Sequence, residues 1–279
     1  MRIKSLFIAP FMLLALTGVV ACGSSKKSDD TQATEKKVVI KAPVFDADSA
    51  FTYVKAQTDF GPRVPNTQAH RDCGEYLAQQ LAKFGAKVYN QYADLEAWDG
   101  TILKARNIIG AYNPDSKKRI MLCAHWDSRP YADYDVDEKN HKKPIDGAND
   151  GASGVGVLLE IARQIQKEAP TVGIDIIFFD AEDYGTPAWH RGIYKPHDWC
   201  LGSQYWGRTP HVQGYYARYG ILLDMVGGKG GTFYYEPYSY RTARKEVKKI
   251  WEKAHELGYG SYFVKQEGSE VTDDHVYVN

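Results

Sequence analysis

Four carboxylates and a histidine have the residue types and placement for joint chemistry: His125, Asp150, Glu182, Asp183 and Asp224. His125 and Asp127 follow the apolar run 120–124, while Glu182 and Asp183 follow the apolar run 174–179. Asp224 lies between Leu223 and Met225, and Asp150 sits in the glycine-rich turn 147–156. Oxygen and nitrogen donors without cysteine suit a catalytic zinc, which keeps a coordination position open for water or substrate; magnesium is the weaker candidate. The adjacent acids 182 and 183 suit a division of labour, because backbone neighbours point apart and one can ligate while the other moves protons.

Each residue also has a plainer reading. Asp150 could serve only as a helix N-cap, Glu182 and Asp183 as solvated loop acids, and His125 as a hydrogen-bonded core histidine. Asp224 resists such a reading, since a carboxylate inside an apolar strand costs roughly several kcal/mol unless a cation or donors meet it. Together these groups would repel one another on a shared rim unless a divalent cation or shared protons compensated them. Asp180 could also belong to this rim, although it is nearest its strand and could serve only as a brace for the turn.

The elements that must position these groups are legible in the pattern. Asp46 or Asp48 can cap a first helix through Phe51 and Val54, and Cys73, Leu77, Leu81 and Phe84 recur at helical spacing before Gly85. Strands are expected at 87–92, 101–110 and 120–124, the last apolar throughout as in a strand buried on both faces. The glycine turn then opens a helix through Leu158, Leu159, Ala162 and Ile165, and a strand at 174–179 completes a parallel crossover unit. Strands at 221–226, 232–236 and 262–266 flank a helix carrying Val247, Ile250, Trp251, Ala254 and Leu257, which Gly258 stops. The fold class is α/β: a single three-layer domain with a mostly parallel central sheet and helices on both faces. In such sheets ligands bind beyond the carboxyl ends of the strands, where these polar residues fall.

Thirty-five basic residues balance 35 acidic ones over 279 residues, so no overall field draws the chain to nucleic acid. Arg2 and Lys4 precede an apolar run ending at Val19, Val20, Ala21 and Cys22, a secretion signal with a lipobox-like end. Residues 1–22 are therefore expected as leader, with Cys22 lipidated, 23–42 as a flexible tether and 43–279 as the functional domain. The expected location is the periplasm or cell surface, anchored by lipid to a bacterial membrane, the outer one being favoured. Cys73, Cys123 and Cys200 fit neither a disulfide framework nor a cysteine zinc pattern.

The motifs in order, His125-Trp126-Asp127-Ser128, residues 147–154 (GANDGASG), Asp180-Ala181-Glu182-Asp183 and Leu222-Leu223-Asp224, resemble the zinc aminopeptidase superfamily, peptidase family M28-like. Segments 60–66 (FGPRVPN), 124–133 (AHWDSRPYAD), 202–206 (GSQYW) and 272–275 (TDDH) make the chain look most like its bacterial, animal-type glutaminyl cyclases. The resemblance covers roughly residues 45–279.

It implies one zinc, with Asp150 and Asp183 as two of its three protein ligands, and Glu182 as the acid and base. Asp224 and Asp273 would form a proton-sharing network, and Trp189 and His125 would line the substrate pocket. The implied substrates are peptides or proteins with N-terminal glutamine, converted to pyroglutamate with loss of ammonia. In the family the third ligand is a histidine in a segment beyond a further strand, and Asn279 precedes any such segment here. The expectation is therefore of a C-terminally truncated or partial domain lacking a strand, the ligand loop and a helix, which could be inactive and unstable as it stands. His275 belongs to the acidic-loop motif and is not the matching histidine, although it could substitute in a distorted site. Two rival readings stand: a two-zinc aminopeptidase, with His125 and Asp224 on a second metal and Asp150 bridging, and a non-catalytic peptide-binding lipoprotein.

Overall fold

The computed structural model describes residues 42–279, so Cys22, the leader and nearly all of the tether lie outside the described residues. Asp46 caps α1 (Ala47–Thr58) by accepting from the Ser49 N–H, and Thr67 caps α2 (Gln68–Lys83). Then come β1 (Lys87–Glu96), β2 (Ile102–Tyr112), β3 (Arg119–His125), α3 (Ala152–Lys167), β4 (Gly173–Phe179) and α4 (Leu201–Arg208). The remainder holds β5 (Gly220–Leu222), β6 (Phe233–Tyr235), α5 (Pro237–Thr242), α6 (Arg244–Glu256) and β7 (Phe263–Glu267).

Among the described residues, β1 to β5 form one sheet in the order β1-β2-β4-β3-β5. The expectation of a mostly parallel sheet needs correcting. β1–β2 and β2–β4 pair antiparallel, and β4–β3 and β3–β5 pair parallel, so the sheet is mixed. The β1–β2 hairpin, joined by a short turn, inserts its second strand against β4, whereas β3-α3-β4 is the expected crossover unit. β6 and β7 form a separate pair, crossed by Trp251 of α6, whose indole N–H reaches the carbonyls of Phe233 and Val264.

Alternating side chains cover both faces, which explains the unbroken apolar runs. Ile108, Leu122, Ala124, Ile176 and Phe178 pack under Leu77 and Leu81 of α2 and Leu158 and Leu159 of α3. Ile109, Cys123, Ile177 and Phe179 face the other way, against Trp206 of α4. The three described cysteines are buried and unpaired. The strand expected at 221–226 stops at Leu222, with one further bond from the Leu223 N–H to the Cys123 carbonyl at 2.8 Å. Beyond it the Val226 N–H turns to Ser153 Oγ (3.0 Å) and the Gly227 N–H to Asn149 Oδ1 (2.8 Å), which draws the backbone off the sheet. Asp224 therefore stands in a loop at the strand end, not inside an apolar strand.

Candidate active site

β3 and β4 run parallel and end level, with His125 paired to Phe179, so the residues immediately after them share one rim. Asp127 fixes that rim: its Oδ1 accepts the Glu182 N–H at 3.0 Å and its Oδ2 accepts the Asp183 N–H at 3.1 Å. Asp180 is the expected brace, accepting His70 Nε2 at 2.9 Å, the Arg106 N–H at 2.6 Å and the Ala181 N–H at 2.8 Å. Asp150 is not the helix cap. Gly151 takes that position with φ +87° and no side-chain cap bond, leaving the Asp150 carboxylate free for the site. A Cβ on Gly151 would stand 2.7 Å from the Asp127 carbonyl oxygen, so only glycine fits this turn. Fully buried Arg63 ties the turn down, donating to the carbonyls of Trp126 (3.3 Å), Asp146 and Gly147 (2.8 Å).

The acids surround His125. Its Nε2 lies 2.9 Å from Asp150 Oδ1 and 3.2 Å from Asp224 Oδ1, and its Nδ1 lies 3.4 Å from Asp127 Oδ1 and 4.0 Å from Glu182 Oε2. The imidazole is wholly enclosed, so His125 sits behind the carboxylates and is not the pocket wall expected of it. A cavity of about 670 Å³ opens in front, lined by Asp150, Glu182, Asp183 and Asp224 among others. Its wall includes Trp199 but not Trp189, which packs edge-on to Tyr131 (5.0 Å) and over His141 (6.1 Å). Trp199 lies beneath the Arg129 guanidinium at 4.5 Å, and a Cβ on Gly185 would stand 2.1 Å from its ring. Asp273 joins the cluster: donor atoms of Asp273, Glu182 and Cys200 lie within 4.8 Å of one another. His275 turns elsewhere, to Glu236 at 3.2 Å, and does not line the cavity.

Crowding sets the protonation. Burial works against a charged imidazole, yet the hydrogen bonds to Asp127, Asp150 and Asp224 hold His125 well above the ordinary histidine range. Burial would raise Asp150, but the His125 hydrogen bond and charge outweigh it and leave that carboxylate low. Burial pushes Glu182 well up, with Asp183 and Asp273 adding to the rise. Asp183 is raised by burial and by the charge of Asp150, and Asp273 by burial and the charge of Asp224. Asp183 Oδ2 is buried without a hydrogen-bond partner, while Arg129 Nη1 donates to its backbone carbonyl at 3.0 Å and lies 3.4 Å from Oδ1. A cation would satisfy a buried, unpartnered carboxylate oxygen beside a second carboxylate, so Asp150 and Asp183 fit a zinc. A second donor set, His125, Asp150 and Asp224, also gathers within 4.8 Å.

Peptidase family M28 has a sequence model that matches residues 107–279 of this chain, more than half its length. The chain belongs to peptidase family M28. This M28 domain is similar to the solved glutaminyl cyclase of Bacteroides thetaiotaomicron bound to N-acetylhistamine, 64% identical over 86% of this chain and 82% of that one, with a TM-score of 0.85. It is also similar to a leucine aminopeptidase precursor from the same organism, at 63% identity, 86% and 83% coverage and a TM-score of 0.85. Bovine (Bos taurus) glutaminyl-peptide cyclotransferase is 30% identical over 150 residues, 46% of this chain. The match spans only 38% of that curated relative's length.

Residues that sequence reasoning left without a role prove central: Arg63, Arg129, Trp199 and Cys200. One signal in the backbone marks their surroundings. Ala181, His197, Cys200 and Met225 take left-handed φ between +49° and +60°, and all four stand in or next to the site. No residue pattern announces such strain.

Proposed function

We propose that this protein is a zinc-dependent glutaminyl-peptide cyclotransferase, converting the N-terminal glutamine of peptides to pyroglutamate with release of ammonia. One observation carries the reading: Asp150, Glu182, Asp183 and Asp224 converge on one cavity in a chain 64% identical to a solved glutaminyl cyclase. Asp150 and Asp183 hold a single zinc, which when bound supplies Lewis-acid polarisation of the substrate γ-carbonyl. Glu182 takes a proton from the α-amine as the amine nitrogen bonds to the carbonyl carbon of the side-chain amide, and returns it to the amide nitrogen as the bond from that carbon to the amide nitrogen breaks and ammonia leaves. Asp224 and Asp273 share protons beside it, since two acids at close quarters cannot both ionise freely. A leader ending at Cys22 supports a lipid-anchored enzyme of the periplasm or cell surface, reaching secreted peptides.

The test uses a glutamine-initiated peptide. Ammonia should appear as the peptide loses the mass of one ammonia, and Glu182→Gln should abolish turnover while zinc stays bound. Free glutamine with a shortened peptide would overturn the proposal in favour of a second reading, a two-zinc aminopeptidase. The His125, Asp150 and Asp224 donor set supports that alternative, and two zinc ions per chain would accompany it.

A further inference from the structure

Cys200 lies in the irregular stretch before α4 and enters no expected ligand set, yet its fully buried Sγ stands 3.2 Å from Glu182 Oε1, in donor geometry. Among the described residues it is the hydrogen-bond donor that the Glu182 carboxylate has; His125 Nδ1 is 4.0 Å from the other oxygen. Three backbone bonds hold the two segments together. The N–H groups of Cys200, Leu201 and Gly202 donate to the carbonyls of Glu182, Ala181 and Asp180 at 2.9, 3.0 and 3.0 Å. Gly202 permits this approach, because a Cβ there would stand 2.1 Å from the Asp180 carbonyl oxygen. Cys200 and Ala181 both adopt left-handed backbone, at φ +57° and +53°. Strain of roughly 1 kcal/mol or more at each non-glycine residue persists only where surrounding contacts demand it.

We infer that Cys200 is a positioning residue for the proposed reaction: its S–H, donated to Glu182 Oε1, orients the carboxylate and leaves Oε2 to take and return the substrate's proton. The inference rests on the cyclotransferase reading of Glu182. Burial pushes the thiol far up, so it keeps its proton as a donor. Asp127 fixes the Glu182 backbone, and Cys200 fixes the side chain. Removing one such hydrogen bond costs up to about tenfold in rate when that bond matters in the transition state.

The experiment compares Cys200→Ala and Cys200→Ser in the zinc-loaded protein. The alanine variant should lose about tenfold in kcat with KM within about twofold, while serine, which keeps a donor, restores most of the loss. Unchanged kcat in Cys200→Ala, or serine falling as far as alanine, would overturn the inference. An infrared measurement decides the point without turnover, and therefore also if the reaction proves different. The S–H band isolated as wild type minus Cys200→Ser should be shifted as for a thiol bonded to carboxylate, and Glu182→Gln should move it. A band that ignores Glu182→Gln would also overturn the inference. If wild type releases free glutamine and no ammonia, the cyclotransferase reading fails by itself, and the band still reports whether Cys200 holds Glu182.

Discussion

His125 Nε2 lies 2.9 Å from Asp150 Oδ1, with the imidazole wholly enclosed and the carboxylate about one-third exposed at the cavity wall. A buried donor behind the proposed zinc ligand Asp150 orients that carboxylate and sets its charge. His125→Phe, which keeps a ring and removes the donor, should weaken zinc binding by about tenfold to hundredfold. Competition against a chromophoric chelator measures it. An unaltered zinc dissociation constant would detach His125 from the metal centre.

Trp199 and Trp189 offer a direct contrast. Trp199 forms part of the cavity wall under Arg129, whereas Trp189 packs on Tyr131 and His141. Trp199→Ala should raise KM for a glutamine-initiated peptide by about tenfold, the effect of roughly 1.4 kcal/mol of lost contact, and Trp189→Ala by less than about twofold. Steady-state kinetics on the two variants checks this, and the reverse order would refute the placement of the wall.

Asp133 accepts both Arg129 Nε (2.6 Å) and Nη2 (2.5 Å), and the Ala188 N–H at 2.8 Å. Burial raises its carboxyl, but the Arg129 bonds and the Ala188 N–H outweigh that and hold it below the usual 3.8. The folded value lies below the unfolded one, so the native state binds fewer protons. The stabilisation is present above the unfolded value and is lost as pH falls through the folded one. Asp133→Asn should therefore cost about 3–5 kcal/mol near neutral pH, as for a broken buried pair, and somewhat less once the pH is below the folded value. Urea unfolding at both pH values reads the difference; an equal loss at both would assign the effect to packing.

Gly154 brings α3 against the segment that carries Asp224. A Cβ there would stand 2.0 Å from the Leu223 carbonyl oxygen, and backbone cannot rotate away. Gly154→Ala should cost about 1–3 kcal/mol through overpacking and lower turnover more than stability alone explains, because Asp224 moves with Leu223. Unfolding and kcat equal to wild type would show that the contact relaxes freely.

The sequence by itself determined the parts whose causes are local. Apolar runs marked β3 and β4, helical spacing of Cys73, Leu77 and Leu81 marked α2, and Gly85 and Gly258 end their helices with φ of +84° and +88°. It also determined which residues can reach the rim, because the segment directly after a parallel strand emerges at that strand's carboxyl end. Only the tertiary structure decided the rest. The mixed sheet depends on β2 choosing β4 as its neighbour, a pairing between strands distant in the chain, as Ile108 with Phe178 shows. Asp224 leaves the sheet because Ser153 and Asn149 capture the backbone beyond it. Trp199 takes the wall and His125 the interior because Arg129, Gly185 and the surrounding acids close on them from distant segments. Local propensity is a property of neighbours in sequence; burial, charge state and the aim of a side chain are properties of neighbours in space.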